Sequence, residues 1–218
     1  MNDLYEVCRR ELYSAVIADG LDTVGEHHRA LKPGVHPLDE SLVLCGRARV
    51  GIYTPLYHDD KDVRVYENEI RFVDSLAKDD VAVLACHGLT RLSPWGELLS
   101  TRARYLGSAG CLTDGCVRDS RLIREMAFPV FASGTNPVDT KYRAKMTMYD
   151  VPGEIAGVRV ESGDLIFGDI DGTVVVPKDL VETVITHALE KVRSENTVRE
   201  ELAGGETLVN VFARHRIL

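Results

Sequence analysis

The stretch Gly107–Asp119, GSAGCLTDGCVRD, decides how this chain folds. It holds a helix stop, a short apolar run, a tight turn and an Arg-Asp pair, more constraint than any other segment carries. Gly107 takes the left-handed conformation that ends a helix. Cys111, Leu112 and Thr113 read as a short buried strand, and Asp114-Gly115 reads as a turn. Cys116 and Val117 then lead to Arg118 and Asp119, directly ahead of the apolar-periodic run SRLIREM. The pair is expected where a strand's end meets a helix's start. In sheets with helices packed on them, that rim is where ligands bind.

An arginine fork matches a carboxylate in bidentate fashion, and an aspartate oxygen is a hard ligand suited to Mg²⁺ or Mn²⁺. Together Arg118 and Asp119 would hold a metal-chelated 2-oxo acid. Against this, Asp119 is well placed as the N-cap of the following helix, and Arg118 as an ordinary surface residue. On these two residues alone the cap reading is favoured.

Upstream, VAVLAC at 81–86 is a continuous apolar run, as expected for a strand covered on both faces. PWGELLSTRARYLG predicts a helix that begins between Pro94 and Glu97 and ends at Gly107, with Pro94 at the first helical position and Ser93 as its cap. Residues 66–76 predict a helix with Ile70, Phe72, Val73 and Leu76 on its apolar face. LVLCGRARVGIYT, 42–54, is a β-rich run interrupted by Gly46, and HHRALKPGVHPLDE before it is a Pro/Gly loop. SAVIADGLDTVG predicts a helix closed by Gly25, preceded by a short amphipathic helix over 3–12 with Leu4, Val7, Cys8 and Leu12 inward.

Downstream, PVFASG is a short strand and loop, and 135–150 has no clear period. VRVESGDLIFGDIDGTVVVP reads as β-structure with Asp171-Gly172 as a hairpin turn. Asp169 and Asp171 imitate the start of a calcium loop, but Leu180 stands where its twelfth residue must be acidic, so the hairpin is preferred. A last helix is expected from Asp179, capped by a box with Glu182. Its buried face is Val181, Val184, Ile185, Ala188, Leu189 and Val192. Glu195 and Arg199 would pair one turn apart, and Gly204-Gly205 stops it. With no repeat and no linker, residues 1–218 are expected to form one α/β domain.

The 218 residues are 44% hydrophobic and 28% charged, in the range of a water-soluble globular chain. A formal net charge of -8, from 26 Lys and Arg against 34 Asp and Glu, argues against nucleic acid or an anionic membrane surface as a partner. No apolar run approaches the roughly 20 residues that cross a bilayer, and the charged N-terminus lacks a signal-peptide core, so a cytoplasmic location is expected. Cys8, Cys45, Cys86, Cys111 and Cys116 are scattered without a C-x-x-C pair, the pattern of buried reduced thiols. The seven histidines lack ligand-like spacing.

If Arg118 binds a carboxylate, a second anion-binding element should accompany it. The helix start at Trp95-Gly96-Glu97-Leu98-Leu99 offers free backbone N–H groups, and Gly96 has no side chain to block close approach. Equally, Gly96 relieves a crowded turn and Trp95 is core; the two readings are even. Glu97 would act as a base or hold a water, although acids are common in first turns because they complement the helix dipole. No nucleophile elbow, GxGxxG or GxxxxGK[ST] is present.

SAVIADGLDTVG, GRARV, PWGELLSTRARYLGSAGCLTDGCVRD, PVFASG, GDLIFGDIDGTVVVP and ENTVREELAGGE, in this order and spacing, resemble the family of class II pyruvate aldolases and the regulator of RNase E activity A. The resemblance covers nearly the whole chain, most specifically in DGCVRD coupled to the upstream WGELL. It implies an α/β/β/α sandwich of the swivelling phosphohistidine-domain type, assembled as a homotrimer or homohexamer. It implies a lyase that needs Mg²⁺ or Mn²⁺, cleaves 4-hydroxy-4-methyl-2-oxoglutarate or 4-carboxy-4-hydroxy-2-oxoadipate to pyruvate and a second 2-oxo acid, and decarboxylates oxaloacetate.

By the same motif match, Asp119 would ligate the metal, Arg118 would contact the pyruvyl part, and the backbone amides of Leu98 and Leu99 beside Gly96 would hold its carboxylate. Glu97 stands where the aldolases carry an Asp, Glu195 is similar to an acid that reaches in from a neighbouring subunit, and Ser162-Gly163-Asp164 replaces Pro-Gly-Asp in a turn. The alternative from another class is a protein-binding regulator of an RNA-processing endonuclease, which would not require the Arg-Asp pair. A menaquinone methyltransferase would need a glycine-rich loop that is missing, and a phosphohistidine carrier would need a better candidate than His87-Gly88.

Overall fold

The chain opens with two short helices, α1 (Asn2–Glu11) and α2 (Ser14–Thr23), in a computed structural model that describes residues 2–57 and 64–217. Both turn apolar residues inward, burying Cys8, Val16, Ile17 and Leu21. The start of α2 is capped from far along the chain: Asp169 accepts from the Ser14 N–H at 2.7 Å and from its hydroxyl at 2.6 Å.

β1 (His36–Pro37) lies inside the stretch expected to be a loop. β2 (Leu44–Pro55) runs straight through Gly46 instead of being interrupted there. A Cβ at Gly46 would lie 2.4 Å from the Asp79 carbonyl oxygen and 2.9 Å from the Ala109 Cβ, so the glycine permits close approach of neighbouring chain.

Helices and strands then alternate through α3 (Glu67–Asp74), β3 (Asp80–Ala85), α4 (Glu97–Tyr105), β4 (Gly110–Thr113), β5 (Cys116–Val117), α5 (Ser120–Glu125) and β6 (Val130–Ala132). Every residue of β3 is buried, as its unbroken apolar run predicts. β7 (Gly134–Thr135) pairs with β5, and β8 (Ala144–Tyr149) forms in the stretch without a period, antiparallel to β2.

β9 (Gly153–Ile155) and β10 (Val158–Val160) make one hairpin. β11 (Leu165–Asp169) and β12 (Gly172–Val176) make another, with Asp169 opposite Gly172, so the aspartates of that turn serve the hairpin. A 3₁₀ turn over Lys178–Leu180 leads into α6 (Val181–Ala203) and α7 (Leu208–His215).

Two expected helix starts are corrected. Asp179 lies in the 3₁₀ turn and caps nothing, because α6 begins after Leu180 without a side-chain cap. Ser93 and Pro94 precede α4, whose N-cap is Gly96; the Ser93 hydroxyl instead donates to the Asn136 carbonyl at 2.5 Å.

The main sheet runs β1-β6-β4-β3-β2-β11-β12, with β8 added to β2. β2, β3, β4 and β6 are parallel neighbours, and the flanking pairings are antiparallel. The segment before β1 pairs with β12 through Leu31 N–H to Thr173 O and Val175 N–H to Arg29 O, each 2.9 Å, and β1 itself then pairs with β6. One stretch of chain thus touches both edges, and the sheet curls nearly into a barrel.

Inside the curl, Val50, Val83, Leu112, Phe131 and Ile166 pack against Ile155, Val158 and Val160 of the β9–β10 hairpin. Outside, α1, α2 and α6 cover one part of the sheet and α3, α4 and α5 another. The result is a mixed α/β domain whose outer helices converge with the parallel strands at one rim. All five cysteines are buried and free of disulfides. No described helix is long and apolar enough to cross a membrane.

Candidate functional site

Around the GSAGCLTDGCVRD stretch, the chain passes from β5 into α5 through Arg118 and Asp119. Trp95 and Val117 form a parallel bridge, and the Arg118 N–H donates to the Trp95 carbonyl at 3.0 Å. This bridge sets the start of α4 beside the Arg-Asp pair. Trp95 is core, with its ring N–H donating to the Ser100 hydroxyl at 2.7 Å.

Asp119 has φ 57° and ψ 27°, left-handed backbone that an aspartate tolerates better than most residues but not for free. In that conformation it does not cap α5, and the favoured cap reading is corrected. Its Oδ2 accepts instead from the Glu97 N–H at 3.2 Å, at the first turn of α4. The carboxylate therefore rests at the positive end of α4's dipole.

Gly96 is the residue these side chains crowd. A Cβ there would meet Asp119 Oδ2 at 2.7 Å, Arg118 Cγ at 3.1 Å and Arg118 Nε at 3.3 Å. Its glycine permits close approach of that pair, and Trp95 is core, as the crowded-turn reading expects. The Leu98 and Leu99 N–H groups make no hydrogen bond among the described residues, as the second and third amides of a helix must without a ligand or a cap.

A cavity of about 200 Å³ opens on this corner. On one side it is lined by Ser93–Gly96, Leu98, Leu99, Arg118 and Asp119, and on the other by Tyr66, Glu69, Ile70 and Asp139. Arg118 stands between two acids, with Asp139 at 3.7 Å and Asp119 at 3.8 Å. Both separations are too long for hydrogen bonds, and no bond among the described residues consumes its N–H donors. Arg118 is thus oriented and still able to grip a carboxylate.

The far side was not legible as a site. Tyr66 donates its hydroxyl to Asp139. Burial pushes the Asp139 carboxyl up, but the bond from Tyr66, backbone N–H groups and Arg118 outweigh it and hold it below the usual range. Burial, then the Asp139 bond, pushes the Tyr66 hydroxyl up to about 12. Glu69 is buried and accepts from the fully buried Tyr53 hydroxyl at 2.8 Å; burial pushes its carboxyl up to about 7.

Of the sequence candidates, the cavity gathers Gly96, Leu98, Leu99, Arg118 and Asp119. Glu97 is not among its lining; its carboxylate accepts from the Thr101 hydroxyl at 2.7 Å, one turn along α4. Glu195 sits on α6, accepting from the Tyr13 hydroxyl and ion-paired with Lys191 at 3.7 Å and Arg199 at 3.8 Å. Tyr66, Glu69 and Asp139 were missed. For Glu69 a signal existed: Glu69, Phe72, Val73 and Leu76 follow i, i+3, i+4, i+7, and all are buried, whereas the expected Ile70 is exposed.

Among the described residues no three His, Cys, Asp or Glu converge as a metal cage. Of the carboxylates that line the cavity, Asp119 lies against the start of α4. That donor set suits a hard ion held mainly by ligand oxygens and water, as Mg²⁺ often is, and does not suit zinc.

Protein DlpA of Legionella pneumophila is 30% identical over 195 residues, 89% of this chain but 31% of that protein, so this chain spans about a third of that relative's length. A Halalkalibacterium halodurans protein named "Putative 4-hydroxy-4-methyl-2-oxoglutarate aldolase" is 29% identical over 191 residues, 88% of this chain and 84% of the relative. The crystal structure of Streptomyces coelicolor RraAS2, described as an unusual member of the RNase ES inhibitor RraA protein family, superposes with a TM-score of 0.80 at 26% identity, over 91% of this chain and 96% of that one. The family model described as RraA-like, Aldolase/RraA, matches residues 14–175, which include the whole cavity lining and exclude Glu195. This chain belongs to the Aldolase/RraA family.

Proposed function

We propose that this chain is a divalent-metal-dependent lyase that cleaves a 4-hydroxy-2-oxo acid of the 4-hydroxy-4-methyl-2-oxoglutarate type to pyruvate and a second 2-oxo acid, and decarboxylates oxaloacetate. The observation that carries this reading is the convergence, on one cavity, of Arg118, the unengaged N–H groups of Leu98 and Leu99, and the Asp119 carboxylate. Asp119 would hold Mg²⁺ or Mn²⁺, and the bound ion supplies positive charge next to the reacting carbonyl.

The chain's own residues do the rest. The Leu98 and Leu99 amides and the α4 dipole bind the C1 carboxylate, and Arg118 fixes the 2-oxo end in one orientation. When the C3–C4 bond breaks, negative charge gathers on the 2-oxo oxygen, where Arg118 is already aimed and little reorganisation is needed. Trp95, Leu98 and Leu99 form apolar walls that reduce the water around that charge. Glu97, and Glu195 from a neighbouring subunit of a homotrimer or homohexamer, would hold water near the bound ion rather than take the substrate's proton. A cytoplasmic location fits this chemistry.

Pyruvate release from 4-hydroxy-4-methyl-2-oxoglutarate and from oxaloacetate, coupled to lactate dehydrogenase with Mg²⁺ or with chelator, tests the proposal. Metal-dependent release above the uncatalysed background is expected; none with either substrate contradicts it. The likeness to RraAS2 favours a second reading, a protein-binding regulator of an RNA-processing endonuclease. Capture of an endonuclease by a chain that turns over no 2-oxo acid would replace the first reading with the second.

A further inference from the structure

We propose that Glu69 is the proton-transfer residue of this cavity, taking the proton of the substrate's 4-hydroxyl as the C3–C4 bond breaks and returning it to C3 of the pyruvate enolate. This rests on the lyase reading above. It adds a residue from α3, the wall opposite Arg118 and Asp119.

The geometry sets Glu69 apart from the other acids. It occupies an inward position of α3, on the stripe shared with Phe72, Val73 and Leu76, where an apolar side chain would be expected. A carboxyl placed there is costly unless it is bonded. Its one hydrogen bond among the described residues comes from Tyr53 on β2 to Oε2, so Oε1 is the oxygen left for a ligand in the cavity that Glu69 lines. No cation is within ion-pairing distance of it among the described residues.

The remaining acids are otherwise employed. Asp139 is taken by Tyr66, Glu97 is turned to Thr101, Asp119 is bonded to the α4 start, and Glu195 is tied down on α6. The charged and titratable groups facing Glu69 are Tyr53 from β2, Asp139 from the segment before β8, and Arg118 after β5. Burial raises its carboxyl to about 7, Asp139 adds to the rise, and Tyr53 and Arg118 oppose it. A group that holds and yields a proton near neutrality, inside a cavity, is suited to proton transfer.

The step balances within the substrate. The Glu69 carboxylate accepts the O4 proton, the O4–C4 bond becomes the carbonyl of the second product, and the C3–C4 electron pair passes to the 2-oxo group as the enolate. The Glu69 carboxylic acid then gives the same proton to C3, leaving pyruvate and an ionised Glu69. Oxaloacetate has no hydroxyl proton to lose, since CO₂ leaves from its C4 carboxylate and water can protonate C3. The two reactions therefore make different demands on Glu69.

The test compares wild type, Glu69→Gln and Tyr53→Phe as Mg²⁺-loaded full chains, following both reactions across the neutral pH range. In Glu69→Gln, aldol cleavage should fall by about 10²- to 10⁴-fold while decarboxylation falls by less than about tenfold, and the acidic limb near pH 7 should disappear from the cleavage profile. Tyr53→Phe should keep cleavage but move that limb to higher pH, because the lost bond favoured the ionised carboxylate. Equal losses in both reactions, or a limb unchanged in Glu69→Gln, would overturn the role of Glu69 alone. A wild-type chain that turns over neither substrate would overturn the lyase reading and this inference with it.

Discussion

The Asp119 carboxylate accepts the Glu97 N–H at 3.2 Å, so the residue that opens α5 caps the first turn of α4. One bond fixes both the acid and the helix start in the cavity wall. Asp119 makes it from left-handed backbone, φ 57° and ψ 27°, and leaves its own helix uncapped.

Gly96 guards that bond. Its backbone, φ −156° and ψ −170°, is open to any residue, so an added methyl group is resisted by contact alone. Gly96→Ala should push Asp119 and Arg118 out of place and lower kcat/KM for pyruvate release by about 10²-fold, while thermal stability changes by less than about 1 kcal/mol. Wild-type kinetics in that variant would show that close approach at Gly96 is unimportant.

Arg118→Lys keeps the charge and loses the planar fork. The neighbouring acids lie at 3.7 and 3.8 Å from a partly exposed guanidinium, so stability should shift by no more than about 0.5 kcal/mol. Turnover should nonetheless fall by about 10²-fold, because a point charge cannot engage a carboxylate bidentately. Steady-state kinetics beside a melting curve separate the two effects.

Burial of Glu69 has a consequence for stability that is independent of turnover. Its carboxyl is raised from 4.5 to about 7, so its contribution to folding is full below pH 4.5 and is lost as the pH rises through 7. Relative to Glu69→Gln, the wild type should lose roughly 3 kcal/mol across that window and change little above it. Urea unfolding of both proteins at a series of pH values measures this. A difference that stays flat with pH would mean that Glu69 is better solvated than its burial indicates.

What the sequence made legible were the elements whose signals are local. The apolar run of β3, the Asp171-Gly172 hairpin and the stop at Gly107 depend on neighbouring residues and appear where expected. The caps expected at Ser93, Asp119 and Asp179 were misread: Asp119 serves α4 rather than α5, from 22 residues away, and α6 starts without a side-chain cap. Asp114, read as a turn residue, also reaches across the sheet to accept the Cys86 and Gly88 N–H groups at 2.6 and 3.1 Å.

Half of the cavity was visible in the order Trp95–Leu99 and Arg118-Asp119, because both segments carry backbone punctuation. The other half was hidden for two reasons. Ile70 was assigned to the inward stripe in place of Glu69, and Asp139 is placed by an isolated bridge to Ser93, a pairing with no periodic signature.

Asp119 and Arg118 acting together in a metal-dependent cleavage is tested by pyruvate release from Asp119→Ala beside wild type at saturating Mg²⁺. The variant should stay folded, with a loss of about 1 kcal/mol for the missing cap on α4, and release pyruvate no faster than Mg²⁺ alone. Release at the wild-type rate from the folded variant would contradict that joint action and leave Asp119 as a structural cap.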